Sequence, residues 1–299
     1  MTTAPQAPFG RVLTAMATAF HDDGSVDLDG TARVAAHLVD HGHDGVVVSG
    51  TTGESPTTTV VEDGDLLRAV IDAVGDRATV VAGVGTNATA HSVELAQQAE
   101  KLGADGMLLV TPYYNKPSQA GILEHFRQVV DAAPLPVMLY DVPGRTGVAI
   151  APETYRRAAE WESVVAVKDA VGDYARGVRL MRDTGLAFYS GVDANNLGWL
   201  AHGASGFVSV AGHACGDTLR ELCDAFFAGD HDAALAAYRR MLPAIDAIMG
   251  VPNYGATTAK AALQLLGVLD NRNVRSPLVP LDDDELTALR AGLHDAGVL

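Results

Sequence analysis

Lysine is scarce in this chain: there are four in 299 residues, and the formal net charge is −16. Without a basic cluster the chain is a poor ligand for nucleic acid or an anionic membrane, both of which are bound through clustered Lys and Arg. Cysteine is also nearly missing. Cys215 and Cys223 are too few for a disulfide framework and lack the paired spacing of a zinc site, so both are read as core or helix residues. No apolar run approaches the roughly 20 residues that cross a bilayer. The opening residues, MTTAPQAPFGR, have neither a basic start nor an apolar h-region. Together these absences predict a cytoplasmic protein, and a hydrophobic content of 48% predicts one large, well-buried domain rather than disorder.

What the chain has in excess is aspartate, with one dense acidic run at Asp282-Asp283-Asp284-Glu285. Adaptation to a salty cytosol and a GC-rich genome that favours Asp, Ala and Gly codons both account for this, and composition alone leaves the choice open.

Short runs rich in Val, Leu and Ala alternate with helical periodicity every 20 to 40 residues or so, the pattern of repeated strand-helix units on a parallel sheet. Eight runs are found: Val12 to Thr18, Gly45 to Ser49, Ala78 to Gly83, Gly106 to Thr111, Pro136 to Tyr140, Val164 to Lys168, Leu186 to Ser190 and Gly206 to Val210. Most are apolar without alternation, as in strands buried on both faces. Eight units predict a closed (β/α)8 TIM barrel of the α/β class, with a doubly wound open sheet as the less suitable alternative. Further helices are expected over Asp217 to Gly229, Asp232 to Met249, Ala256 to Leu266 and Asp283 to Ala296. The division that follows is a barrel over 1–229 carrying the active site and a helical C-terminal region over 230–299, broken by Pro243, Pro252 and Pro277.

Lys168 ends the apolar run Val164-Val165-Ala166-Val167. Burial disfavours the ammonium form, so such a lysine either acquires a partner or loses its proton and becomes a nucleophile suited to Schiff-base chemistry. Lowering its pKa from about 10.4 to roughly 7.5 corresponds to about 4 kcal/mol. The competing reading is an inert strand-end lysine paired with Asp169. Lys101, near a helix end, Lys116, in the loop Tyr-Asn-Lys-Pro, and Lys260, in an alanine-rich helix, are read as ordinary.

In a barrel of this kind the site lies at the carboxyl ends of the strands. There the sequence places Ser49-Gly50-Thr51-Thr52-Gly53-Glu54-Ser55, Thr111-Pro112-Tyr113-Tyr114, Tyr140-Asp141-Val142-Pro143-Gly144-Arg145, Lys168 and Ser190-Gly191. Each segment alone reads as a turn, a rim aromatic or a loop charge. Jointly they supply a nucleophile, hydroxyls, phenols and a cation. An uncharged Lys168 amine attacks a 2-oxo acid carbonyl, and the iminium it forms acidifies the neighbouring methyl group to give an enamine. Tyr140 has a phenol to move protons if a hydroxyl such as Thr51 relays them. Gly50 and Gly53 let backbone N–H groups approach a carboxylate, and Arg145 can hold a second one with its planar fork.

Through GTTGESPTTT, VTPYYNKPSQ, YDVPGRTGV, VKDAVGD, YSG and GASGFVSV the chain resembles, over essentially its whole length, the dihydrodipicolinate synthase family of pyruvate-dependent class I aldolases. The resemblance implies that Lys168 forms the imine with pyruvate, that Tyr140 and Thr51 transfer protons, and that Tyr114 completes the relay in a neighbouring subunit. It further implies that Thr52 binds the pyruvate carboxylate, that Arg145 binds the carboxylate of L-aspartate 4-semialdehyde, and that Gly191 and Val210 line the pocket. A homotetramer arranged as a dimer of dimers, no cofactor and no metal are implied as well. The condensation product would be 4-hydroxy-tetrahydrodipicolinate, on the route to diaminopimelate and lysine.

The doubled threonine and Arg145 favour this reaction over a sister aldolase acting on 2-keto-3-deoxygluconate or N-acetylneuraminate. Two positions depart from the family pattern. Val192 stands where an acidic residue is common. In the region that binds lysine in regulated members, Ser55, Asn87 and Tyr113 fit, but His91, Val60 and Asp63 do not, so strong lysine inhibition is not expected. A metal-dependent or purely ligand-binding barrel is the reading from another class. His41-Gly42-His43 lacks a carboxylate at ligand spacing and is read as a helix cap, and GVGTNAT over 83–89 lacks the third glycine of a dinucleotide fingerprint.

Overall fold

The computed structural model describes residues 5–251 and 255–299. Its centre is a closed barrel of eight parallel strands joined in sequence order, β1 beside β8. The order along the chain is β1 (Val12–Ala15), α1 (Leu28–Asp40), β2 (Gly45–Val48), α2 (Val60–Val74), β3 (Thr79–Gly83), α3 (Thr89–Leu102), β4 (Gly106–Val110), α4 (Gln119–Ala132) and β5 (Val137–Asp141). It continues through α5 (Pro143–Thr146), α6 (Pro152–Ala158), β6 (Val164–Asp169), α7 (Tyr174–Thr184), β7 (Ala187–Ser190), α8 (Asn196–Ala201), β8 (Gly206–Ser209) and α9 (Gly212–Phe227). Three helices follow: α10 (His231–Met249), α11 (Ala256–Leu265) and α12 (Asp283–Asp295).

The strands read as unbroken apolar runs because each is covered twice. One set of side chains, including Leu13, Val47, Val81, Leu108, Met138, Ala166 and Val208, fills the barrel above Phe9. The alternate set, including Val46, Val80, Leu109, Leu139 and Val167, packs outward on the helices. Small residues allow the strands their closeness: a Cβ on Gly206 would stand 1.9 Å from the Arg11 carbonyl oxygen. The predicted strands overrun the observed ladders mainly at β1, where Met16, Ala17 and Thr18 are buried without belonging to the strand.

Aspartate has structural uses here beyond surface charge. Asp27, Asp173, Asp230 and Asp282 accept hydrogen bonds from backbone N–H groups at the starts of α1, α7, α10 and α12. The dense acidic run is the first turn of α12, where Asp282 and Glu285 form a capping box and negative charge meets the helix dipole favourably.

The proline prediction is corrected at Pro243. α10 runs through it without a break, because Ala244, Ile245 and Ile248 are buried on the same helix and hold the following turns against α9 and α12. A proline in a helix interior costs about 3 kcal/mol, and this packing offsets it. Pro277 does lie between α11 and α12, outside any helix, while Pro252 falls outside the described residues. The eighth barrel helix begins at Gly212, earlier than expected, with a kink at Cys215 (φ −114°, ψ 26°). Cys215 and Cys223 are both buried free thiols of α9, and burial pushes each pKa up to about 12.

Candidate active site

Parallel pairing sets Tyr140 on β5 beside Lys168 on β6. Both follow inward-facing residues, Met138 and Ala166, so strand alternation turns them into the barrel mouth. The neighbours in sequence, Asp141 and Asp169, consequently face the helical layer. There Arg176 bonds Asp141 at 3.0 Å and stands 3.6 Å from Asp169, the Tyr155 hydroxyl donates to Asp141 at 3.0 Å, and the Val171 and Gly172 N–H groups donate to Asp169. The strand therefore separates Lys168 from Asp169, and the inert pair is not what the fold builds.

Lys168 is 4% exposed. Its Nζ lies 4.5 Å from the centroid of the Tyr140 ring, and among the described residues it has no hydrogen-bond or ion-pair partner. Burial lowers its pKa to about 8, the Arg145 charge adds to that, and the Asp193 carboxylate opposes both. Close packing here suits the glycine at 191, because a Cβ there would stand 3.0 Å from the Asp169 carbonyl oxygen and 3.1 Å from Lys168 Cγ.

Lys168 lines a cavity of about 560 Å³ together with Thr51, Thr52, Tyr140, Arg145, Gly191 and Val210. Gly50 and Tyr114 line an adjoining cavity of about 280 Å³ that shares Thr51, Tyr140 and Arg145 with the first. All nine sequence-predicted site residues thus border one connected region at the strand ends. The Val210 N–H is bound to Asp193 and its carbonyl accepts from the His213 ring. Tyr114 is 87% exposed and held at φ 69°, a backbone conformation unfavourable for a bulky residue.

Three features were missed in the sequence. Asp193 is buried, and it accepts from the Ser209 hydroxyl, the Val210 and Ala211 N–H groups and Asn196, tying the ends of β7 and β8 together. The signal for it was an acid one residue beyond the position occupied by Val192. Lys260, read as ordinary, is 1% exposed and paired with Glu54, which corrects that reading. Residues of the C-terminal region, Met249, Gly255, Ala256, Pro277 and Leu278, form one wall of the larger cavity.

Nothing metal-binding assembles around the histidines: the described residues contain no group of three or more His, Cys, Asp and Glu side chains placed to hold an ion. His41 is the C-cap of α1 and bonds Asp217 at 2.9 Å, whereas His43 is buried against Thr14 and the Leu38 carbonyl.

A closed (β/α)8 barrel with a buried lysine opening into a cavity at the strand ends is the architecture of barrel enzymes whose chemistry can run through a lysine amine. Residues 8–296 match the Dihydrodipicolinate synthetase family, and the chain belongs to it. It is similar to 4-hydroxy-tetrahydrodipicolinate synthase of Acidothermus cellulolyticus, with 57% identity covering 99% of this chain and 96% of the relative. It is 54% identical to 4-hydroxy-tetrahydrodipicolinate synthase 2 of Streptomyces coelicolor, covering 99% and 98%. Among solved structures, dihydrodipicolinate synthase of Cyanidioschyzon merolae with lysine bound superposes with a TM-score of 0.94 at 40% identity, covering 98% of this chain and all of the other. The Acinetobacter baumannii enzyme complexed with pyruvate gives 0.92 at 34% identity, covering 98% and 100%.

Proposed function

We propose that this protein condenses pyruvate with L-aspartate 4-semialdehyde to 4-hydroxy-tetrahydrodipicolinate, through an imine on Lys168. The observation that carries the reading is the buried Lys168 amine beside Tyr140, which lines the larger cavity and has no hydrogen-bond or ion-pair partner among the described residues. The free amine attacks the keto carbon of pyruvate, and loss of water gives the iminium. The cation draws electrons from the methyl carbon, whose proton leaves, the resulting enamine adds to the aldehyde, and the amino group of the semialdehyde then closes the ring onto the imine carbon and displaces the Lys168 amine. Tyr140 carries protons in and out, with Thr51 as its relay. Thr52 and the Gly50 backbone hold the pyruvate carboxylate, Arg145 holds that of the semialdehyde, and Gly191 and Val210 shape the pocket. The pyruvate-bound Acinetobacter relative and the relatives named as the synthase support the substrate choice. With purified protein, pyruvate and the semialdehyde are expected to be consumed together, with negligible cleavage of 2-keto-3-deoxygluconate or N-acetylneuraminate. The reverse preference would replace this reading with that of a sugar-acid aldolase.

The barrel over 1–229 supplies this chemistry and the helices over 230–299 support it. We assign the reaction to the cytoplasm, where buried free thiols such as Cys215 and Cys223 are ordinary. Assembly as a dimer of dimers belongs to the same reading, supported by the exposed ring and strained backbone of Tyr114, which pay off only if the ring enters a neighbouring subunit's site. Tyr114→Phe should lower kcat roughly 10- to 100-fold, as for a lost proton relay, while leaving the melting temperature and assembly unchanged. Full turnover in that variant would remove Tyr114 from the relay.

A further inference from the structure

The loop that carries Thr51 and Thr52 is anchored at its far end by Glu54, which lines the same cavity and belongs to a largely buried charge cluster. Glu54 has a left-handed backbone (φ 60°), and its N–H donates to the Thr51 carbonyl at 3.1 Å. Any movement of Glu54 is therefore passed directly to Thr51. Its side chain is fully engaged. One carboxylate oxygen takes the Lys260 ammonium of α11, and the other accepts the Arg275 N–H at 2.9 Å. Lys260 also donates to the Asn273 carbonyl at 2.7 Å, and its Nζ lies 4.1 Å from the Phe20 ring centroid. The Arg275 guanidinium covers the same ring at 4.5 Å, bonds Glu62 and donates to the Thr57 and Gly24 carbonyls.

Both anchor points sit next to the cavity wall. Ala256 precedes Lys260 by about one helical turn, and Pro277 follows Arg275 by two residues; Ala256 and Pro277 both line the cavity that holds Lys168. A buried ion pair is weak evidence for stability, because an apolar pair of similar volume is often as stable, whereas removal of one partner strands a charge. Loop closure across a sequence separation of 206 residues is a use that an apolar pair would not reproduce, since only directed bonds fix the angle of the loop.

We infer that Glu54 and Lys260 are positioning residues: their ion pair fastens the C-terminal helices to the Thr51–Thr52 loop and so sets the geometry in which pyruvate is bound. The inference rests on the function proposed above. It assigns to the C-terminal region a part in substrate binding and not only in packing.

The test is the double variant Glu54→Gln/Lys260→Met, which removes both charges together, compared with the parent and with Lys260→Arg. Pyruvate is titrated, adducts are trapped with borohydride and located by mass spectrometry, and melting temperatures are recorded alongside. The double variant is expected to melt near the parent yet show a pyruvate KM raised about tenfold with kcat changed no more than about threefold. Lys260→Arg, which keeps the cation, should stay within about threefold of the parental KM. Should the double variant unfold, Glu54→Met/Lys260→Met, an apolar pair of similar volume that strands no charge, is measured in its place, with the same rise expected. A parental pyruvate KM in a folded variant overturns the inference, as does a loss confined to kcat. If the parent itself traps no pyruvate on Lys168, the proposed function fails; if the parent traps it and the variants bind pyruvate as well, only the positioning role fails.

Discussion

Lys168→Ala should leave no borohydride-trapped pyruvate adduct and lower kcat/KM on the order of 10⁴-fold, about 5.5 kcal/mol of transition-state stabilisation. The size follows from what the amine supplies: a covalent route in which an iminium acidifies the pyruvate methyl group, for which no neighbouring side chain can substitute. Lys168→Arg should fare no better, because a guanidinium stays protonated and is not a nucleophile. The fold should survive both changes, since among the described residues the ammonium makes no ion pair that its loss would strand. The pH dependence has a defined sign. With a pKa near 8, about one amine in ten is free at pH 7, against about one in 3,000 at an unshifted lysine. Pyruvate capture, followed by pre-steady-state trapping, should therefore rise as pH increases and level off above about pH 8. A rate that is flat between pH 6 and 9, or an alanine variant as fast as the parent, would exclude the imine route.

The barrel was legible in the sequence because it depends on a repeated signal. Every strand is covered on both faces, so each registers as an apolar run whatever its neighbours, and eight runs allow few other closures. The strand-end residues were legible for a related reason: Thr51, Tyr140, Arg145 and Lys168 are reactive types that interrupt or follow those runs. What remained hidden depends on contacts distant in sequence. Lys260 lies in an alanine-rich helix and its carboxylate partner is Glu54, so neither neighbour nor spacing shows that it is buried. Burial lowers its pKa to about 8, as it does for Lys168. A lowered pKa therefore does not by itself single out the proposed nucleophile. The difference lies in direct partners, since Lys260 bonds a carboxylate and a carbonyl, whereas among the described residues Lys168 has no hydrogen-bond or ion-pair partner and faces the Tyr140 ring and the cavity. Pro243 was misread on equally physical grounds, because a local breaker is outweighed by the burial of the turns after it.

Stability should fall steeply in mild acid, by about 6 kcal/mol between pH 7 and pH 5, and three buried histidines are the cause. His213 accepts the Ala17 N–H on Nε2 at 3.0 Å and so donates from Nδ1 to the Val210 carbonyl at 2.8 Å. His43 is bonded to the Leu38 carbonyl on Nδ1 and to the Thr14 hydroxyl on Nε2. His125 has one bond, to Thr89, and a buried Nε2 without a partner. Desolvation lowers each pKa from about 6.5 to about 4. Between these values the unfolded chain binds protons that the folded chain refuses, so stability rises with pH across the window and is lost as pH falls below the unfolded value. Each histidine accounts for about 2 kcal/mol at pH 5, and total stabilities are commonly only 5 to 15 kcal/mol. The buried carboxylates with raised pKa values, Asp63, Asp141 and Asp169, act in the opposite direction at lower pH, by gaining protons in the folded state. Urea denaturation at several pH values should resolve the slope, and a His43→Gln/His213→Gln variant should flatten it by about two thirds. Equal stability at pH 7 and pH 5 in the parent would show that these imidazoles titrate normally, against the geometry that holds them neutral.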